Sequence, residues 1–272
     1  MFIIGILLTS IIGYLIGSIS FSTIITKKKS NVDLKTVGSK NTGATNASRV
    51  LGKKWGMVIL FLDISKIIIT SVIAFLFSLI DNEVFSEISF FIPALFALLG
   101  HCYSIYYKFQ GGKAVSCLIG MLFITNWVLI VGFAIVWWGL IFIFRKVSVS
   151  SIFASLTVMI LIWIPQISFI NSNYEWIFSD YLAYNGYNFF TAVSETAIAG
   201  KDWTTALYFN ALHNISPHLF YDSLFVIQIV ITLGILLLIF KHRTNIQRIF
   251  KGTEPTFFEY KKKTSKENIL KT

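Results

Sequence analysis

A chain that carries "WGMVILFLDISKIIITSVIAFLFSLI" and "SLFVIQIVITLGILLLIF" has few ways to fold in water. Each run approaches the ~20 apolar residues with which an α-helix crosses a bilayer. Composition agrees: 55% of the 272 residues are hydrophobic and only 13% are charged, about half the charge of a soluble domain. Mean hydropathy is +0.72. The sequence predicts an all-α fold, a polytopic transmembrane helical bundle.

Apolar runs and their punctuation give seven spans, at about 2–25, 55–80, 88–107, 113–125, 127–145, 150–170 and 221–240. The lysines of the first segment follow its apolar run instead of preceding it, the reverse of a signal peptide, so it is read as a permanent helix. Loop charges alternate along the chain. Residues 26–54 hold eight Lys or Arg against Asp33, the next loop has Asp81, Glu83 and Glu87, and 171–220 is acidic apart from Lys201. The positive-inside bias then puts the N-terminus outside and the C-terminus in the cytoplasm. Residues 1–250 read as one membrane-embedded domain with an outward loop at about 171–220, and 251–272 as a basic cytoplasmic tail. A net charge of +10 sits beside membrane segments, where it meets anionic headgroups; membrane lipids are the implied partner and nucleic acid is not. Cys102 and Cys117 show no metal-ligand spacing and no disulfide framework.

In that orientation the unusual polar stretches share the cytoplasmic face. "GSKNTGATNASRVLGKKWG" (38–56) strings Ser39, Asn41, Thr45, Asn46 and Arg49 among glycines. It reads either as a solvated linker opening a helix or as a loop of small donors beside an arginine able to grip phosphate. "GHCYSIYYKFQGGKAVSC" (100–117) places His101 inside the third span and Gly111, Gly112 and Lys113 where the fourth helix opens. Amide N–H groups there, with the helix dipole behind them, suit an anion; the bland alternative is a lysine snorkelling to the interface. It is not a Walker loop, lacking the first glycine and the trailing Ser or Thr. "RKVSVSS" (145–151) offers Ser148, Ser150 and Ser151, of which helix capping alone would explain one. In "KHRTNIQR" (241–248), His242, Asn245 and Arg248 recur every third residue and share a helix face. Asp63 and Lys66, inside the second span, read as a self-neutralising ion pair that supports the site. Donors abound and carboxylates are sparse, so a doubly anionic ligand or two phosphorylated ligands are indicated, with no cofactor and no metal.

These stretches, in this order, resemble the bacterial integral-membrane glycerol-3-phosphate acyltransferases that use acyl phosphate as donor. The likeness rests on "YLIGSIS" (14–20), "GSKNTGATNASRVLGKK" (38–54), Asp63 with Lys66, "GHCYSIYYKFQGGKAV" (100–115), the serine turn at 148 and "H..NIQR" followed by "GTE" (242–254). It covers nearly the whole chain except about 171–220. The resemblance implies seven helices, a cytoplasmic active site and acyl transfer to the 1-hydroxyl of glycerol 3-phosphate, giving lysophosphatidic acid and phosphate as the first step of phospholipid synthesis. By position it implies catalytic roles for Ser39, Arg49, His101, Lys113, Ser148 and Asn245, and substrate binding by Asn41, Thr45, Asn46, Gly111, Gly112 and His242. It also raises the soluble acyl-phosphate-forming enzyme as a partner. Lys40, Gln110 and Ala114 depart from the family's usual residues, and the outward loop exceeds its usual connection.

The residues suit that chemistry. An acyl phosphate is an activated anhydride, so no nucleophile is needed, and neither a Ser-His-Asp arrangement nor an H-x-x-x-x-D pair is present; at the latter spacing His101 meets Tyr106. Direct attack on the acyl carbon by the glycerol phosphate hydroxyl, with the proton passing to His101 or to the donor's phosphate, is the expected mechanism. An organic-phosphate transporter is the main alternative, but a carrier wants its site near the midplane.

Overall fold

The computed structural model describes residues 2–85, 88–164 and 224–256. The 171–220 loop and most of the basic tail lie outside them. Among the described residues every regular element is helical: α1 (Phe2–Ser18), α2 (Phe21–Ser30), α3 (Ala44–Leu51), α4 (Lys53–Ser78), α5 (Phe91–Cys102), α6 (Val115–Thr125), α7 (Trp127–Phe144), α8 (Val147–Leu161), α9 (Leu224–Lys241) and α10 (Arg243–Phe250). A helix stands at each expected span. Ile3–Ser30 and Lys53–Ser78 are long and apolar enough to cross a bilayer, and Val226–Lys241 with Arg243–Phe250, bent by 50° at the break between them, counts as a third only when the pair is taken as one span. The segments Phe91–Tyr107, Val115–Thr125, Val128–Phe144 and Val147–Leu161 are shorter apolar helices. Outward faces stay apolar, as with Phe142 and Ile143 of α7, 68% and 71% exposed. That is what a helix facing lipid instead of water presents.

The bundle closes on a core shared by α4, α5, α6, α8 and α9, including Ile67, Leu98, Leu118, Met121, Val158 and Ile231. Helix α1 lies along α5 at very close range. A Cβ on Gly17 would stand 1.9 Å from the Ala97 carbonyl oxygen, and one on Gly100 2.2 Å from that of Tyr14. Small residues give this contact its closeness, since in lipid helix association depends on van der Waals fit. Two hydrogen bonds extend it. Tyr14 Oη donates to Tyr103 O at 2.7 Å and Ser104 Oγ to Ser18 O at 2.5 Å. They anchor the loop leaving α5. A satellite cluster of Leu34, Ala47 and Ile59 seats the 31–43 segment against α3 and α4.

Candidate active site

Lys113, Ser148 and Asn245 come from three separate elements and meet. Lys113, just ahead of α6, donates from Nζ to Asn245 Oδ1 at 2.5 Å. Asn245, buried on α10, donates from Nδ2 to Ser148 Oγ and to Glu254 Oε1, both at 2.7 Å. Ser148 Oγ also donates to Glu254 Oε1, and Arg248 Nε to Glu254 Oε2 at 2.8 Å. The Glu254 carboxylate therefore sits in a cup of donors. Ser148 is not the cap of α8: the N-cap is Lys146, and no side chain caps the helix there. Capping thus fails to explain this serine.

Charge is concentrated around Lys113. Burial, then the like charge of Arg248, push its ammonium down to about 8; Glu254 opposes the shift, and Arg49 and Lys241 add to it. Arg49, on α3, is thereby placed near enough for its field to reach Lys113. Burial alone would raise the Glu254 carboxyl, but the hydrogen bonds from Ser148, Arg248 and Asn245 outweigh it and hold the carboxyl below its ordinary value. An arrangement of several cations with one carboxylate between them is built for an anion.

His101 lies beneath the glycine loop. Its carbonyl accepts from the Gly112 N–H at 2.9 Å, and a Cβ on Gly112 would fall 2.0 Å from its Nε2. A Cβ on Gly111 would fall 2.1 Å from the His101 carbonyl oxygen. This corrects the expectation that both glycine amides face the ligand. The Gly112 amide is bonded to His101, α6 begins only at Val115 behind the left-handed Ala114 (φ 68°), and the glycines serve to let the loop lie flat on the imidazole. On the other side of the ring, His101 Nδ1 stands 3.7 Å from Asp63 Oδ1. Asp63 pairs with Lys66 at 2.9 Å, both about 2% exposed, and Lys66 Nζ also donates to Gly17 O at 3.2 Å. Lys241 Nζ donates to Cys102 O at 2.9 Å and lies 4.4 Å from the centre of the Tyr103 ring. It ties α9 to the C-terminal carbonyls of α5, the end of a helix that favours a cation.

Asn46 is engaged with its own loop. Its Nδ2 donates to Leu34 O and Val37 O, both at 3.0 Å, and its Oδ1 accepts from Ser39 N at 3.0 Å. Buried and hydrogen-bonded at both ends of its amide, it shapes the loop that carries Ser39. Gly38, at φ 60°, leaves room for it: a Cβ there would stand 2.2 Å from Asn46 Oδ1. Ser39, Asn41, Thr45 and Arg49 are half-buried around this loop. His242 is buried at the bend between α9 and α10, where its Nδ1 pairs with Leu238 O at 2.8 Å. With that nitrogen donating to the carbonyl, Nε2 is left as the acceptor.

Sequence reasoning placed Arg248 on the face of His242 and Asn245 without giving it a role, and missed Glu254 as a member of the cup. Their signal was present, since "NIQR" and "GTE" are part of the run that carried the resemblance.

Fold and site together define a helical membrane protein with a cup of cations and hydrogen-bond donors between helix ends. Residues 7–252 match the sequence profile of the family described as glycerol-3-phosphate acyltransferase. The glycerol-3-phosphate acyltransferase of Mycoplasma mycoides subsp. mycoides SC is 44% identical over 263 residues, covering 97% of each chain. A crystal structure of PlsY (YgiH), an integral membrane glycerol 3-phosphate acyltransferase in its glycerol 3-phosphate form, is similar at TM-score 0.60 with 27% identity, covering 98% of each chain. Its lysophosphatidic acid form matches at TM-score 0.58 with 28% identity, over 92% of this chain and 94% of that one. The present chain belongs to the glycerol-3-phosphate acyltransferase family and is a membrane-embedded acyltransferase of phospholipid synthesis.

Proposed function

We propose that this chain transfers a fatty acyl group from acyl phosphate to the 1-hydroxyl of glycerol 3-phosphate by direct attack, without an acyl-enzyme. The observation that carries the reading is the Ser148–Asn245–Arg248 donor set closed around a single carboxylate, with the Lys113 ammonium bonded to Asn245 beside it. A phosphate presents the same kind of oxygens with more charge. The neighbour solved in a glycerol 3-phosphate form supports that substrate.

The hydroxyl oxygen bonds to the acyl carbon, the bond from that carbon to the donor's phosphate breaks, and phosphate leaves with the electron pair. The hydroxyl proton passes to His101 or to the departing phosphate. Lys113 and Ser39 stabilise the leaving phosphate, while Arg49, His242 and Asn245 hold the acceptor; Ser148 orients the Asn245 amide. Asn41 and Thr45 complete the binding loop, and Asn46, Gly111 and Gly112 fix its shape. Positioning supplies roughly 7–11 kcal/mol of the barrier reduction, and donors aimed at the developing charge supply more.

The seven-span topology, with the N-terminus outside and the cup on the cytoplasmic face, is part of this proposal. It is supported by the helix at each apolar run and by the alternation of loop charge. A soluble enzyme that makes acyl phosphate is the partner this donor implies, and the basic tail from 251 onward offers it a docking charge.

The test is incubation of purified protein with acyl phosphate and glycerol 3-phosphate, without acyl-CoA or acyl carrier protein. Lysophosphatidic acid and free phosphate in equal amounts are expected. No product from this donor, or labelled acyl chain retained covalently on the protein, overturns the reading.

A further inference from the structure

The mechanism above gives the Glu254 carboxylate no task of its own, yet a turn returns it to the centre of the cup. Beyond α10, Gly252 is left-handed at φ 68° and the Thr253 N–H donates back to Arg248 O at 2.9 Å, a glycine-closed helix end that reverses the chain. Glu254 Oε1 then accepts from Asn245 Nδ2 at 2.7 Å and from Ser148 Oγ, and its Oε2 from Arg248 Nε at 2.8 Å. Asn245 Nδ2 also donates to Ser148 Oγ at 2.7 Å. The donor side of the amide is thereby taken up, and its Oδ1 faces Lys113, which donates to it at 2.5 Å. That orientation is forced from both sides, since a carboxylate needs a donor and an ammonium an acceptor. Ser148 spends its one proton on Glu254. Glu254, Ser148 and Asn245 are buried, while Lys113 is half-buried and stands at the mouth of the cup.

We propose that Glu254 is a positioning residue that, through Ser148 and the Asn245 amide, aims the Lys113 ammonium at the phosphate it binds. An ammonium has three N–H donors on a flexible stem. With one of them held by Asn245 Oδ1, the other two are directed away from the amide and toward an incoming anion. The charge is then in place before the substrate arrives, which is how positioning lowers a barrier. Glu254 stays where it is throughout, and the phosphate meets the cup through Lys113. The carboxylate also sets how much charge there is to aim. The charged and titratable groups around Lys113 are Arg248 and Glu254 from α10 and its turn, Arg49 from α3, Lys241 from α9 and His242 at the bend. Glu254 is the one acid among them and favours the ammonium against its cationic neighbours. Without that acid the amide could turn an N–H toward Lys113, and the ammonium would lose its acceptor and its counter-charge together.

This rests on the acyl-transfer reading of the site, and the experiment keeps the two apart. The first arm needs no turnover: trace acetylation of the purified protein with acetic anhydride over a range of pH, with the Lys113 peptide read by mass spectrometry. The wild-type ammonium should titrate at about 8. Glu254→Gln should move that midpoint down, because the acid that favoured the charged form is gone, and Glu254→Asp should keep it close to wild type. An unmoved midpoint in Glu254→Gln overturns the proposal even if the enzyme is fully active. The second arm measures acyl transfer. Glu254→Gln should lose roughly 100-fold in kcat/KM, but less than about 3-fold in the Lys113→Ala background, where no ammonium is left to aim. Equal losses in the two backgrounds show that Glu254 only holds the turn after α10 together, and overturn the proposal. Where Glu254→Gln does not accumulate, a crystal structure of the wild-type protein with inorganic phosphate decides. Glu254 should remain on Asn245 and Ser148 with the phosphate on Lys113; a phosphate on Asn245 Nδ2, with Glu254 swung aside, overturns the proposal. The expected midpoints in a wild-type protein that makes no lysophosphatidic acid would sink the functional reading alone.

Discussion

Lys113 and Asn245, 132 positions apart in the chain, meet at 2.5 Å, ammonium to amide oxygen. The contact joins the loop ahead of α6 to α10, the short helix beyond the last apolar run. Asn245 then passes its two amide hydrogens to Ser148 and Glu254, so four segments converge on one small volume.

Removing the ammonium should therefore empty the cup of its most central cation. Lys113→Ala is expected to lower kcat/KM for acyl transfer by roughly 100- to 1,000-fold, the range for one donor aimed at developing charge. Arg49→Ala should behave alike. Lysophosphatidic acid formation measures the loss, and monodisperse elution from detergent shows that the fold survives. Rates near wild type in both variants would leave the anion-binding assignment without support.

Because Lys113 is held down at about 8 in the ligand-free protein, its charge is lost within the working range. A depressed ammonium is protonated below its pKa and neutral above it, so kcat/KM should fall as pH rises through about 8. Bound phosphate favours the ammonium, so the corresponding limb of kcat should lie at higher pH. Lys113→Arg, always charged, should lack the limb whatever its absolute rate. A wild-type profile flat across alkaline pH would place the ammonium elsewhere.

Much of this could be read from the chain alone, and the residues that could not be read share a physical reason. Helix existence follows from uninterrupted apolar runs, and each expected span carries a helix because nothing in lipid competes with one. Lys113, Ser148, Asn245 and Arg49 stood out as donors in a chain otherwise poor in charge. Glu254 did not: a carboxylate in a tail of lysines reads as solvated, and only the turn after α10 folds it back onto Asn245 and Arg248. Asn46 looked like a ligand because its neighbours did; which carbonyls it caps depends on how 34–39 folds, and no periodicity encodes that. The glycine amides misled for a related reason. A helix N-terminus was expected at Gly112, whereas the loop first closes a hydrogen bond onto the His101 carbonyl.

Gly112→Ala tests that last point. The added methyl would meet His101 Nε2 at 2.0 Å, with further contacts at 2.7 and 2.9 Å to the same ring. Either the loop lifts or the imidazole turns. Overpacking of this kind typically costs about 1–3 kcal/mol, so a lower melting temperature and a large loss of kcat should appear together. Full activity in Gly112→Ala would mean that His101 is free to move without consequence.

Asn46→Ala should act through the loop and not through a ligand. It removes two hydrogen bonds to carbonyls and one from the Ser39 amide. Groups left unpaired in a buried setting cost about 1–3 kcal/mol each at most. Hydrogen exchange should rise across residues 34–40, with Asn46→Asp intermediate because it keeps the acceptor for Ser39. Unchanged exchange there with a raised KM for glycerol 3-phosphate would return Asn46 to the ligand.

Glu254 should make its contribution to stability in a pH-dependent way. Its carboxyl lies below the ordinary 4.5 in the folded protein because Ser148, Arg248 and Asn245 donate to the ionised form. For such a depressed carboxyl the folded state holds fewer protons than the unfolded state, so its stabilisation is full above the unfolded value. It is lost as pH falls from there through the folded one. Glu254→Gln keeps the shape and removes the charge. Thermal unfolding in detergent should therefore show the variant less stable than wild type near neutrality, with the gap closing as pH drops below about 4.5. In acid the wild-type side chain is itself neutral and the two proteins differ little. A gap that stays constant, or widens in acid, would mean that the carboxylate is not held by these donors, and the cup would then have to be reassembled around some other anion-binding set.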